Sequence, residues 1–183
     1  MDEAGVIRAC ERWVRELVVG RGLCPFAALP LEAGRVRFAV CHESGLDAIY
    51  RALLGEIDWF VQPPVAADWE TGLLIVPHGL EAFDDYLDLL YSAQQVIERV
   101  GLEEQLQLAS FHPDYRFDGL AEDDPANYSN RSPYPMFHLL RQASVTRALA
   151  AFPAPEEIPR RNSEQLRHLG LSCLQQRLAR CRR

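Results

Sequence analysis

Between residues 3 and 19, Val6, Cys10, Trp13, Val14 and Leu17 recur at helical intervals while Arg8, Glu11, Arg12 and Arg15 fall largely elsewhere around the wheel. This predicts an amphipathic helix that stops at Gly20 and Gly22. Over 35–41 the period drops to two, with Val36, Phe38 and Val40 alternating with Arg37, Ala39 and Cys41, the signature of a strand. Ser44 is placed to cap a second helix whose stripe is Leu46, Ile49, Tyr50, Leu53, Ile57 and Phe60, and Pro63 and Pro64 mark a connecting loop. The unbroken run Leu73, Leu74, Ile75 and Val76 suits a strand covered on both faces. Asp84, Asp85 and Asp88 open a third helix with Phe83, Tyr86, Leu87, Leu90 and Ile97 inward, closed by Gly101. Residues 105–111 then give a third strand, with Leu106, Leu108 and Phe111 apolar.

Beyond Phe111 the periodicity disappears until Pro135. A long irregular loop in a compact domain is usually functional or disordered, and 112–135 packs His, Asp, Arg, Asn and Tyr between prolines, which marks it as a functional loop. Pro135 is placed to start a helix carrying Met136, Leu139, Leu140 and Ala143 that ends before Pro153. Asn162 is placed to cap the last helix, with Leu166, Leu169, Cys173 and Leu178 inward. Strands alternating with helices imply parallel pairing, so the expected fold is α/β: a small, mainly parallel sheet of about three strands flanked by about five helices, in one domain over 1–183. In such sheets ligands bind at the carboxyl ends of the strands.

Composition narrows the function classes. A formal net charge of -7 argues against a nucleic-acid surface, and the basic cluster Arg177, Arg180, Arg182 and Arg183 reads as a helix-end cap. All 19 basic residues are arginine, which removes the Walker phosphate loop and lysine Schiff-base chemistry. Five cysteines with no Cys-x-x-Cys spacing fit neither a disulfide framework nor a structural zinc site. Charges scattered through residues 1–20 argue against a signal peptide or membrane span, and with the cysteines they suggest a cytoplasmic protein with no membrane partner.

Candidate chemistry gathers where strands end. Cys24 lies on a turn before Pro25, and a thiol activated by an imidazole is the general form of thiolate catalysis; His112 is the best base and Asp114 a partner to orient it. The alternative for Cys24 is a small buried hydrophobe. Arg131 and Arg116 are cations suited to an anionic small molecule, Asn127 can donate to a substrate oxygen and Tyr128 can wall a pocket; each can equally staple the loop. A second reading is metal dependence, because each expected strand runs into a histidine, His42, His78 or His112, with Asp114 nearby. A third is a non-enzymatic domain that binds a ligand or partner through the loop. No cofactor is indicated.

The turn Leu23-Cys24-Pro25-Phe26-Ala27, the stretch Ala109-Ser110-Phe111-His112-Pro113-Asp114-Tyr115-Arg116-Phe117 and the run Asp124-Pro125-Ala126-Asn127-Tyr128-Ser129-Asn130-Arg131-Ser132-Pro133-Tyr134-Pro135-Met136, followed by His138-Leu139-Leu140-Arg141, resemble a bacterial family catalogued as domain of unknown function 1415. The resemblance covers essentially the whole chain. It implies a small cytoplasmic bacterial protein whose recognisable positions include Cys24, His112, Asp114, Asn127 and Arg131. It does not carry His42 or His78, so it favours a Cys-His-Asp-Arg constellation over a histidine metal site.

Overall fold

The computed structural model describes residues 2–62 and 69–182; the expected loop at Pro63 and Pro64, and Arg183 of the basic cluster, lie outside them. The first helix, α1 (Glu3–Trp13), runs directly into a π-helical segment, Val14–Val19, and the short α2 (Ala28–Glu32) follows the Cys24 turn. Then come β1 (Val36–Val40), α3 (Leu46–Val61), β2 (Thr71–Ile75), α4 (Phe83–Arg99) and β3 (Leu106–Phe111), each at the position its periodicity predicts. The chain closes with β4 (Met136–Arg141), α5 (Gln142–Ala151), α6 (Ile158–Leu169) and α7 (Leu171–Cys181).

The sheet corrects the expected architecture. It has four strands in the order β1-β2-β4-β3, and it is mixed. β1 and β2 pair in parallel, but β4 runs antiparallel to both β2 and β3 and fills the space between them. Residues 136–141 were expected to open a helix because Pro135 precedes them and apolar side chains recur at 136, 139, 140 and 143; in a run this short the two periods cannot be told apart. Placed between two strands, the segment satisfies its backbone on both edges. The helix exists but begins only at Gln142.

Two smaller expectations also change. Asn162 is not a cap: it lies inside α6, buried, and its side chain donates to the Leu23 carbonyl at 2.7 Å. The expected single last helix breaks into α6 and α7 at Gly170, whose φ of 78° no ordinary helix accommodates. Ser44 does not cap α3 either; Gly45 stands at that position with no side-chain bond.

Helices cover both faces of the sheet. On one face Leu73, Ile75 and Met136 pack with Val6, Cys10, Trp13 and Leu17 of the first helical run and with Leu166, Leu174 and Leu178 of α6 and α7. On the other, Leu74, Phe137, Leu139, Leu106 and Leu108 meet Ile49, Leu53 and Phe60 of α3 and Tyr86, Leu90 and Ile97 of α4. This alternation of strand side chains between two cores makes register matter, since a slip by one residue would invert every face.

Tyr86 holds the sheet's end. Its hydroxyl donates to the Met136 carbonyl at 2.8 Å and accepts from the Phe111 N–H at 3.1 Å, and its ring stacks on Phe137 with centroids 4.8 Å apart. Burial raises its phenol pKa far above the ordinary range. No helix among the described residues is long and apolar enough to cross a membrane.

Gly79, in the turn after β2, has φ 85°, and a Cβ there would stand 2.2 Å from the Ser44 carbonyl oxygen. Gly79→Ala is therefore expected to lower stability by at least about 2 kcal/mol, read as an earlier urea midpoint at unchanged slope. An unchanged midpoint would contradict this packing.

Candidate functional site

The 112–135 loop is organised as a framework. Irregular backbone leaves N–H and C=O groups that need partners, and the loop's own polar side chains supply them. Asn127, fully buried, accepts from the Phe117 N–H at 3.1 Å and donates to the carbonyls of Ala121 and Glu122 at 2.9 and 3.2 Å. Asn130 donates to the Ser110 carbonyl at 2.9 Å, and the buried Ser132 hydroxyl to that of Tyr134 at 2.6 Å. Arg131 donates to the carbonyls of Tyr115 and Glu122 at 3.0 and 2.8 Å and lies 5.0 Å over the buried Tyr128 ring. Arg116 and Asp114 are exposed.

His112 belongs to the same framework. Its Nδ1 accepts from the Asp114 N–H at 3.0 Å, so the proton is on Nε2, which donates to the Leu80 carbonyl at 2.9 Å. Both nitrogens are engaged, and Asp114 meets the ring through its backbone rather than through its carboxylate. Burial lowers the imidazole's pKa, against smaller upward pulls from the Leu80 bond and from Asp114 and Glu81. The ring packs between Phe83 and Tyr86, with centroids 5.2 and 5.3 Å away, and borders a cleft of about 370 Å³ with Pro133, Pro135 and Arg182. Of the other strand-end histidines, His42 is exposed and lies 3.3 Å from Glu3, and His78 is exposed. Among the described residues no three His, Cys, Asp or Glu side chains gather as a metal-holding set.

Cys24 lines a different cavity, of about 340 Å³, on the sheet face covered by the first helix. Strand register builds its floor: Thr71, Leu140 and Gln107 form one row across β2, β4 and β3, and Leu73, His138 and Ala109 form the next. Its walls are Trp13, Val14 and Val18 of the first helical run, Cys24, Phe26 and Ala27 of the turn, and Ser144, Val145 and Ala148 of α5. Phe111 adds a ring that meets Trp13 edge-on at 5.0 Å. Two of the wall residues, Val14 and Val18, belong to the π-helical segment, a conformation found frequently at functional sites.

The polar groups of this cavity are few, and Glu70 is the one charged side chain among its described lining residues. Burial pushes the Cys24 thiol pKa up, against smaller downward pulls from the backbone of Phe26 and Ala27, so the thiol is protonated at neutral pH. His138 keeps some accessible surface as a lining residue, yet lies deep enough that burial lowers its pKa from 6.5 to about 4. Thr71 Oγ1 has one proton, and it donates to the Leu139 carbonyl at 2.8 Å; the same oxygen stands 2.6 Å from His138 Nε2, which must then be the donor. The imidazole proton is thereby fixed on Nε2 and the lone pair on Nδ1. Glu70, also at the cavity, is paired with Arg35 at 2.8 Å.

The structure thus gathers Asn127, Arg131, Tyr128 and His112 in the loop framework and puts Cys24 in a separate cavity with His138 and Thr71. Neither of these last two was singled out by sequence. The signal for His138 was the strand period of 136–140, which places it on the face opposite Phe137 and Leu139.

What fold and site define is a mixed α/β domain with a partly open, mostly apolar cavity against one face of its sheet. The chain belongs to the family described as "Protein of unknown function (DUF1415)", whose model matches residues 5–176. Comparisons with curated proteins and with solved structures return no match.

Asn127→Ala would leave the Phe117 N–H and two carbonyls without partners, and is expected to lower unfolding free energy by about 2 kcal/mol or more, measured by denaturation. Acid behaviour follows from the histidines. Both folded-state pKa values lie below the unfolded value, so between the folded and unfolded pKa the unfolded chain holds more protons and stability falls with pH. From pH 6.5 down to about 4, His138 alone contributes a loss of about 3 kcal/mol. Unfolding measured at several pH values should show a shallower slope in His138→Gln; an identical slope would contradict the burial.

Proposed function

We propose that this chain binds a small, mainly apolar molecule in the cavity between β2, β4, β3 and the first helical run. The observation that carries this reading is the cavity itself: about 340 Å³, walled by Trp13, Phe26, Phe111, Leu73 and Leu140, with few polar groups. Ligand sites are characteristically concave and mostly apolar, with a small number of placed polar groups. An apolar cavity of about 150 Å³ already binds benzene, so this one has room for a body of about two fused rings.

Thiol chemistry has weaker support. A Cys24 nucleophile with His112 as base needs a free imidazole nitrogen beside a thiolate, whereas His112 has both nitrogens bonded and the Cys24 thiol is held protonated by burial. An Arg131 clamp for an anionic substrate competes with the two carbonyls that already hold that guanidinium. Metal dependence through His112 with His78, His42 or Asp114 has no gathered ligand set behind it among the described residues.

Calorimetric titration with 2-methylnaphthalene should give saturable binding with a dissociation constant at or below about 100 µM. Ala109→Phe, which puts a ring into the floor, should abolish binding while the protein stays folded. No heat of binding in the unaltered protein, or equal affinity in the filled variant, would overturn the reading.

A further inference from the structure

The cavity's floor carries a fixed ring nitrogen that the fold does not use. His138 Nδ1 has no hydrogen bond among the described residues, although the rest of its ring is fixed: β4 sets its position, Thr71 holds Nε2 at 2.6 Å, and the Phe111 ring lies 5.6 Å away. Thr71 determines which nitrogen keeps the lone pair, because its own proton goes to the Leu139 carbonyl at 2.8 Å. The result is an oriented acceptor on a mostly apolar floor, with the cross-strand neighbours Leu73 and Ala109 beside it.

We propose that the cavity selects a neutral alcohol or phenol with an apolar body of about two rings, whose hydroxyl donates to His138 Nδ1. This deepens the binding reading above and rests on it. Charge complementarity excludes the alternatives. No arginine lines the cavity among the described residues, and its one carboxylate, Glu70, would repel an acid, so an anionic ligand has no counter-ion there. A cationic ligand would find only a carboxylate already paired with Arg35. A hydrocarbon without a hydroxyl would fill the same space but leave Nδ1 desolvated and unpaired, and sites built for a hydrogen bond discriminate strongly against analogues that lack it. Burial reinforces the choice, since the imidazole stays neutral, and able to accept, throughout the neutral range.

The test compares 2-naphthol with 2-methylnaphthalene, which differ by hydroxyl against methyl on the same rings. In the unaltered protein at pH 7, 2-naphthol should bind at least about tenfold more tightly. On adding 2-naphthol, the Nδ1 resonance of His138 in a 15N-labelled sample should move in the direction of a hydrogen-bonded acceptor, with the proton remaining on Nε2. His138→Leu should remove the preference while retaining affinity for 2-methylnaphthalene. Should that variant fail to fold, Thr71→Val, which frees the ring tautomer, should reduce the preference. Equal affinity for the two compounds with an unmoved Nδ1 resonance would overturn the hydroxyl assignment and leave the cavity reading intact. Failure of both compounds to bind would overturn both readings.

Discussion

Insertion of β4 between β2 and β3 is the constraint on which the rest of this structure depends. With helices on both faces of the sheet, a central strand must present packing groups to both sides, and β4 meets this with Phe137 and Leu139 toward α3 and α4, and Met136, His138 and Leu140 toward the first helix. Its antiparallel direction follows from the loop before it, which turns the chain back after β3. The loop therefore has to be rigid enough to set register, because an error of one residue would bury His138 among the aliphatics of α3 and α4 and turn Phe137 toward the first helix in its place. Tyr86 secures the same rung from the side by bonding Met136 on β4 and Phe111 on β3.

This explains why the polar loop is so highly furnished. The residue types that build a catalytic site and those that satisfy irregular backbone are the same: Asn, Ser, Arg and His offer donors and acceptors at a distance from their own main chain. Sequence locates such a segment without distinguishing its roles. Asn127, His112 and Arg131 stood out as chemistry-bearing residues, and the structure finds their polar atoms turned onto backbone groups of the loop and its neighbours.

Much of the fold was legible because its amphipathic elements are long. The first helix, α3 and α4 extend over enough turns for their stripes to be unambiguous, and β1 shows its alternation openly. What escaped was decided by neighbours. Residues 136–141 are apolar in both a helical and an extended register, and only the vacancy between β2 and β3 selects the strand. Asn162 looked like a cap because its type favours caps, yet its partner is the Leu23 carbonyl, 139 positions away in sequence. Of the candidate site, sequence supplied the Cys24 turn and missed the floor beneath it. The cavity's lining reads as core until the strands are assembled, since Leu, Val, Phe and Ala carry no signature of where packing stops short.

One physical effect, desolvation, sets both the chemistry of the cavity and its limits. Burial holds the Cys24 thiol protonated and the His138 imidazole unprotonated, so each takes its neutral form at neutral pH. A cavity neutral in this sense suits uncharged ligands and gives little help to a thiolate mechanism, which would have to recover the same desolvation cost before any bond formed. The imidazole's neutrality is also what makes Nδ1 an acceptor. From pH 6.5 down to about 4 the unfolded chain takes up a proton that the folded imidazole refuses, so stability is lost first, and Nδ1 ceases to accept only as pH falls through about 4. A ligand bonded to Nδ1 opposes that protonation, and by linkage the apparent pKa of His138 must fall further when such a ligand is bound.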